Sequence, residues 1–527
     1  MTGTLSDGNR RLPSLTGLTA IAIALLACIV FFARTRAYGL MGLDAYPIII
    51  ASRVQSFADL LGTVTEKLMD GRYPWDFYRP LLNATFALDH ALWGLKPVGY
   101  QLTDAILFGG CSLAIYLLAT RLRPGTSRIV PWAAMAFFLL HPLSVEIVPA
   151  PPRRAELLCL LLMTLALAVQ IDPRRLAKRG WPPLLPGVLS LLAMAGKETG
   201  LTMPALAFAA VVIYSPRPGW VQRERHALVA CLPHLTAFGI MMTARLAVLG
   251  GMGGHPGGGI TKGFSEWPGT LLRVLSLIVA PQPPLQRRHL AIGLAVLALV
   301  GWMLVGFVQS RSTATVNPKS TKGTGRCHAV AFTVIWLAGL TWTTASAGRF
   351  DVWYAFMPMA AVAVLVGLAT DGAVCGIRCR SIALRASGGL ALSAMIALTV
   401  WLGAYSPLVH RYTEYERATA ASDEFFASLA TGIERTPDAV YLAAPPFPHK
   451  VTVPREQVGI RAAAILADHS LQAWADLTFP DRRIRVIAGD PRQHPPPAHD
   501  ELVVVIGPIK PGFEGRFQPR LGGDDSG

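Results

Sequence analysis

Lys197 and Glu198 stand side by side in Ala195-Gly-Lys-Glu-Thr-Gly-Leu-Thr202, where two apolar runs meet. Ionised side chains at the end of a membrane helix are costly and rare, so such a pair points to function and calls for a partner. Asp44, Arg79, Asp89, His141, Glu146, Arg153, Arg154, Glu156, Arg349 and Tyr354 stand in comparable apolar surroundings. Cations at that depth suit a phosphate head group whose tail lies between helices. A carboxylate beside them suits a general base that takes a proton from an attacking hydroxyl. Together they describe group transfer from a lipid-linked phosphate donor to an acceptor. Each residue also has a structural reading: a snorkelling anchor or helix-end ion pair for the charges, a turn closure for Tyr78-Arg79-Pro80, a helix-end hydrogen bond for His141 before Pro142.

The elements that must carry these residues are membrane helices. Of the 527 residues 52% are hydrophobic and 15% charged, with mean hydropathy +0.43, whereas ordinary soluble domains carry about 25% charged residues. The formal net charge of +16 does not indicate nucleic acid, because acidic residues outnumber basic ones after Ser406 and much of the basic excess lies in short loops between apolar runs. The basic clusters Arg121–Arg128, Arg174–Arg179, Arg217–Arg225, Arg311–Arg326 and Arg378–Arg385 fall on one side of the alternation, which makes that side cytoplasmic. Candidate spans are 14–33, 101–121, 130–149, 155–171, 183–196, 200–215, 227–249, 289–309, 328–346, 352–370 and 382–404. Gly269–Pro281 is too short to cross and contains Arg273, so it reads as re-entrant or interfacial. The expected architecture is an all-α polytopic bundle of about eleven transmembrane helices, and every residue singled out above lies at or near its external face.

This divides the chain into a cytoplasmic N-terminus (1–13), a membrane domain (14–405) with a large external loop (34–100), and an extracytoplasmic segment (406–527). Periodicity predicts an amphipathic surface helix over Ile50–Met69. The last segment reads as a small α/β domain, with strands at Ala439–Ala444, Ile484–Gly489 and Leu502–Gly507 and a helix over Arg455–Leu477. The run Leu15–Ala33 has no small-residue cleavage motif after it and reads as a retained first helix. The glycines of Gly250–Gly259 lack the Gly-Lys-Ser/Thr ending of a phosphate loop and predict a flexible external loop. The seven cysteines imply neither a disulfide framework nor a zinc site.

Five motifs occur in order: Phe77-Tyr-Arg-Pro-Leu-Leu-Asn83, Gly99-Tyr-Gln-Leu-Thr-Asp104, His141-Pro-Leu-Ser-Val-Glu-Ile-Val148, Arg154-Ala-Glu-Leu-Leu158 and Lys197-Glu-Thr-Gly-Leu-Thr202. With the looser Arg349-Phe-Asp-Val-Trp-Tyr-Ala-Phe-Met-Pro358 they resemble the membrane core of the TMTC-type O-mannosyltransferases and their bacterial relatives, in the GT-C glycosyltransferase superfamily. The resemblance covers about residues 35–370. It implies a polyprenyl-phosphate sugar donor, an acceptor hydroxyl on protein Ser/Thr, glycan or lipid, and an acidic base in the first external loop, at Asp44. Family members often carry Asp-Asp there, where this chain has Asp44-Ala45. Lys197, Arg154 and Arg349 would then bind the donor phosphate. Arg79, Asp89, His141, Glu146, Glu156, Glu198 and Tyr354 would support them or contact sugar and acceptor. No cofactor is required and no metal implied, since fixed cations can stabilise the leaving phosphate. The expected setting is a bacterial inner membrane with the site on the periplasmic face. Two other classes stay open: a transporter or flippase for a lipid-linked sugar, and an inactive assembly protein that keeps the fold.

Overall fold

The computed structural model describes residues 15–40, 44–71, 76–122, 128–176, 184–255, 257–281, 322–378, 382–445 and 468–506. Its helices are α1 (Leu15–Thr35), α2 (Ala45–Ala51), α3 (Phe57–Thr65), α4 (Pro80–Trp93), α5 (Pro97–Leu122), α6 (Ile129–Leu140), α7 (Arg154–Gln170), α8 (Pro173–Leu176), α9 (Leu184–Gly196), α10 (Met203–Tyr214), α11 (Trp220–Leu249), α12 (Ile260–Val279), α13 (Lys322–Ser346), α14 (Phe356–Ile377), α15 (Ile382–Ala404), α16 (Thr413–Arg435) and α17 (Asp468–Thr478). Six described helical stretches are long and apolar enough to cross a membrane: Leu15–Thr35, Pro97–Leu122, Trp220–Leu249, Gly325–Ser346, Val352–Ile377 and Arg385–Ala404. Ile129–Leu140, Leu184–Gly196 and Glu198–Tyr214 are apolar but shorter, and the expected span 289–309 lies outside the described residues.

Three expected elements are redrawn. The span 130–149 stops at Leu140, because Pro142 has no N–H to continue the helix, and a 3-10 turn Pro142–Glu146 follows. Of the stretch Gly269–Pro281, residues 269–279 are the second half of the 20-residue helix α12, which ends at Val279 and whose composition keeps it out of the spanning set. The amphipathic stretch Ile50–Met69 is broken: α2 ends at Ala51, and a capping box between Ser56 and Asp59 restarts the chain as α3. The two backbone N–H groups of Gln55 and Ser56 that Asp59 accepts also hold its carboxyl below the ordinary range.

The bundle is tied across its helices at both ends. At one end Arg121 pairs with Asp172 at 3.2 Å, Tyr214 donates to the Leu122 carbonyl at 3.1 Å, and Arg326 pairs with Asp371 at 2.7 Å. In the buried interior Ser190 Oγ lies 2.7 Å from His234 Nδ1, and His234 Nε2 lies 3.2 Å from Gln170 Oε1. An amide oxygen only accepts, so His234 donates from Nε2 and joins α7, α9 and α11. These three helices carry much of the charged constellation at their other ends.

The C-terminal segment forms a parallel three-stranded sheet of β1 (Tyr441–Ala443), β2 (Arg483–Ala488) and β3 (Glu501–Ile506), in the order β1-β3-β2. All three expected strands are present within a residue or two, and β3 is buried from Leu502 to Ile506, as a central parallel strand covered on both faces should be. Of the helix expected over Arg455–Leu477, residues 468–477 are helical and 455–467 lie outside the described residues. The 23-residue α16 is a helix the sequence reading did not name, although Tyr415, Ala418, Phe425, Leu429 and Ile433 recur at helical spacing and are buried. The sheet and α16 share one apolar core with α2 and the start of the external loop, through Tyr38, Ala45 and Ile49.

Candidate functional site at the helix ends

The charged residues are delivered by breaks in helices. Arg79 is the N-cap of α4, with Pro80 supplying the fixed first turn. Arg153 closes a 3-10 turn and Arg154 opens α7. Lys197 is extended (φ −162°, ψ 150°) between the end of α9 and the 3-10 turn Glu198–Thr202, so the neighbouring cation and carboxylate point apart. Gly200 makes that turn possible: a Cβ there would lie 2.6 Å from Met194 N and 2.7 Å from Ala193 C. The turn folds back on the last turn of α9, and only glycine allows that approach.

These side chains form two layers. The inner layer is closed. Arg154 is fully buried, with Nε 2.5 Å from Asp104 Oδ1 and Nη2 2.6 Å from Asp89 Oδ2, and its guanidinium lies 4.8 Å from the Phe86 ring centre. Thr103 Oγ1 donates to Asp89 at 2.8 Å. The triad braces α4, α5 and α7 and buries Arg154 and Asp89, with Arg154 Nη1 left without a hydrogen-bond partner among the described residues. Arg154 was expected to bind phosphate, and Asp89 to support the cations or contact sugar or acceptor; in this structure the two hold each other. Glu146, also buried, pairs with Arg153 at 2.9 Å, and Arg153 stacks 4.0 Å over the Trp353 ring. His141 accepts from Leu143 N at Nδ1 (3.2 Å) and contacts the Ile278 carbonyl through Nε2 (2.8 Å). A carbonyl only accepts, so the ring carries its proton on Nε2 and fastens α12 to the end of α6. His141 was expected to support the site or contact sugar or acceptor, and here it ties two helices together.

The outer layer is partly open. Glu198 accepts from Arg79 Nη2 at 2.8 Å and Nε at 3.2 Å, and Arg245 Nη1 approaches it from the other side at 3.4 Å. Lys197 forms an ion pair with Glu156 and lies 5.1 Å from the Tyr354 ring centre. Tyr354 Oη is 3.3 Å from His255 Nε2, and the imidazole meets Phe77 edge-on at 5.0 Å, on the ring over which Arg79 stacks at 4.5 Å. Arg349 pairs with Asp351 at 2.7 Å and remains half exposed. Lys197, Glu198, Arg79, Glu156 and Tyr354 are thus brought together as expected from their sequence setting, with Arg349 at the same helix ends.

The sequence reading missed His255 and Asp104, and gave Arg245 no role in the site. His255 lies in the glycine-rich stretch expected to be a flexible loop. The loop is anchored: Gly254 N donates to Asp76 O at 2.7 Å, Gly259 N to Ser346 O at 2.8 Å, and Arg245 Nε to Met252 O at 2.6 Å. Positive φ at Gly250, Gly253, Gly254, Gly257 and Gly259 lets the chain make these contacts within a few residues. A lone histidine among so many glycines was the available signal. Asp104 lay inside a quoted motif, but its spacing could not show that it faces Arg154.

Asp44 stands apart from both layers. It is the N-cap of α2 with no side-chain cap bond, is 40% exposed, and lies 3.7 Å from His469 Nε2. Among the described residues it makes no ion pair with either layer, and no three His, Cys, Asp or Glu side chains converge to hold a metal ion.

No family model matches the chain. It is 33% identical over 129 residues to protein O-mannosyl-transferase Tmtc1 of Drosophila melanogaster, covering 24% of this chain and 14% of that protein. It is 29% identical over 187 residues to protein O-mannosyl-transferase TMTC2 of Mus musculus, covering 33% of this chain and 22% of that protein. The chain therefore matches less than a quarter of the length of either relative. Among solved structures, ArnT from Cupriavidus metallidurans bound to undecaprenyl phosphate aligns over 88% of both chains at 14% identity and TM-score 0.43. The Archaeoglobus fulgidus oligosaccharyltransferase tethered to an acceptor peptide aligns over 80% of this chain and 57% of its own, at 13% identity and TM-score 0.43. By its sequence the chain resembles the TMTC-type O-mannosyltransferases, and with them the GT-C superfamily of membrane glycosyltransferases.

Proposed function

We propose that the chain is an integral membrane glycosyltransferase that moves a sugar from a polyprenyl-phosphate donor to an extracytoplasmic hydroxyl, at the periplasmic face of a bacterial inner membrane. The observation that carries this reading is the outer layer, where Glu198 is held between Arg79 and Arg245 beside the Lys197–Glu156 pair. Arg79 and Lys197, each already oriented by a carboxylate at a helix end, can turn toward a lipid phosphate without reorganising the bundle, while the buried Arg245 adds positive charge behind Glu198. Arg349, half exposed, joins them from the segment ahead of the 3-10 turn Val352–Ala355. Arg154 leaves the phosphate set and becomes the brace beneath it.

In the proposed step the acceptor O–H gives its proton to the Asp44 carboxylate as the acceptor oxygen bonds to the anomeric carbon. The bond from that carbon to the phosphate oxygen breaks, and its electron pair leaves with the lipid phosphate, whose charge Lys197, Arg79 and Arg245 neutralise. Tyr354 and His255 stand where they can bond to sugar or phosphate oxygens. The fixed cations supply the charge stabilisation, and the reading calls for no cofactor or divalent metal.

The test uses full-length protein in lipid vesicles with radiolabelled mannosyl-phosphoryl-undecaprenol as the probe. Time-dependent release or transfer of labelled mannose, with undecaprenyl phosphate as co-product, is the expected result. Movement of the intact probe between leaflets with no cleavage would replace the transferase reading with that of a flippase.

A further inference from the structure

The C-terminal unit reaches Asp44. α2 begins immediately after that residue and packs against α17, and Tyr46 of α2 meets Phe426 of α16 edge-on at 5.5 Å. Phe426 lies in turn 4.6 Å from Trp474 of α17, so the helix carrying Asp44 at its start is held by both helices of the unit. His469, in the first turn of α17, puts Nε2 3.7 Å from Asp44 Oδ1. The Asp44 carboxylate accepts no N–H from its own helix, so capping does not occupy it. Asp44 is 40% and His469 25% exposed, which leaves the pair open to an approaching acceptor.

We propose that His469 is a positioning residue for Asp44, so that the C-terminal unit completes the acceptor side of the site. A small rotation of the imidazole closes 3.7 Å to a direct hydrogen bond. A base whose orientation is fixed by a third group is a recurring arrangement in nucleophilic and acid–base catalysis. His469 takes no proton from the acceptor in this scheme. It holds the carboxylate that does, and the bonds made and broken are those given above. The inference rests on Asp44 being the base.

The test uses the full chain in lipid vesicles with the mannosyl-phosphoryl-undecaprenol probe. His469→Gln is expected to lower turnover about tenfold, equivalent to about 1.4 kcal/mol, at unchanged KM for the probe. In an Asp44→Asn background the same change is expected to cost less than about twofold, because coupled residues are not additive. Equal losses in both backgrounds, or full turnover in His469→Gln, would overturn the proposal; His469→Asn serves where the glutamine variant does not fold. A second arm is independent of turnover: Asp44→Cys with His469→Cys should be bridged by a short bis-maleimide, each thiol adding across one maleimide double bond, with the linked peptides identified by mass spectrometry. Failure to link removes the contact whatever the reaction is. Failure of the wild type to release sugar removes the transferase reading instead, and a positive link then leaves the contact standing without it.

Discussion

Two arginines of the motif set illustrate what a sequence says at the scale of a residue. Arg79 and Arg154 both occur in apolar settings; Arg154 was expected to bind the donor phosphate, and Arg79 to support that set or contact sugar and acceptor. Arg154 begins α7 and turns inward to Asp89 and Asp104, while Arg153, one residue earlier, turns toward Glu146 and Trp353. Successive residues at a helix start differ in direction by about a quarter turn, so the spacing announced charged residues without saying which faced the open side. The two arginines should therefore fail differently. Arg79→Ala should leave thermal stability within about 1 kcal/mol of wild type and weaken binding of undecaprenyl phosphate by about ten- to a hundredfold, the value of about 1.5–3 kcal/mol for a charge-assisted contact. Arg154→Ala should strand two buried carboxylates, at a cost of about 3–5 kcal/mol in stability, while the fraction that folds keeps its affinity. Thermal unfolding in detergent together with binding to labelled undecaprenyl phosphate measures both. Equal affinity losses with equal stability would return Arg154 to the phosphate set.

At the scale of the element, the breaks between helices matter more than the helices. The Lys-Glu-Thr-Gly motif works because Gly200 lets a 3-10 turn press on the end of α9, holding Lys197 and Glu198 on opposite sides of the chain. Gly200→Ala should push that turn off Ala193 and Met194 at a cost of about 1–3 kcal/mol, and it should reduce undecaprenyl phosphate binding without changing any charge. Unchanged stability and affinity would mean that the turn shifts freely and that the tight approach has no role. The C-terminal sheet allows a pH test. Glu501 of β3 accepts from Arg485 of β2 at 3.0 Å, and that bond holds its carboxyl below the ordinary range. A depressed folded value contributes stability above the unfolded value of about 4.3, and this is lost as pH falls through the folded value. Amide protection factors in β2 and β3, corrected for the intrinsic pH dependence of exchange, should therefore be lower near pH 3 than at pH 7, and Glu501→Gln should show less of that difference. Equal exchange in the two proteins at both pH values would assign the pair no part in holding the strands.

At the scale of the molecule, hydropathy located most of the helices and the short apolar runs of the sheet, because burying those side chains is a local property of composition. It could not locate the end of α6 nine residues early, since His141, Pro142 and the turns after them are apolar enough to look like membrane helix yet form a buried irregular segment. Nor could it show that residues far apart share a core, as Ala45 and Phe425 do, or that His255 is folded over Tyr354. The sidedness it proposed has a geometric consequence. Arg121, Asp172, Arg326 and Asp371 tie one end of the bundle, whereas Arg79, Lys197 and Arg245 gather at the other ends of the same or neighbouring helices. The end of α15 belongs with the second group: Ser406 Oγ lies 3.3 Å from the Leu139 carbonyl at the end of α6, and Tyr415 Oη donates to Val145 at 3.3 Å. A reporter that needs an oxidising compartment should therefore be active when fused after Ser406 and silent when fused at Arg326. A reporter that folds only in the cytoplasm should give the reverse pattern. Both fusions reporting one side would place the arginine-rich loops with the site, and the proposed donor phosphate would then have to be met from the cytoplasm.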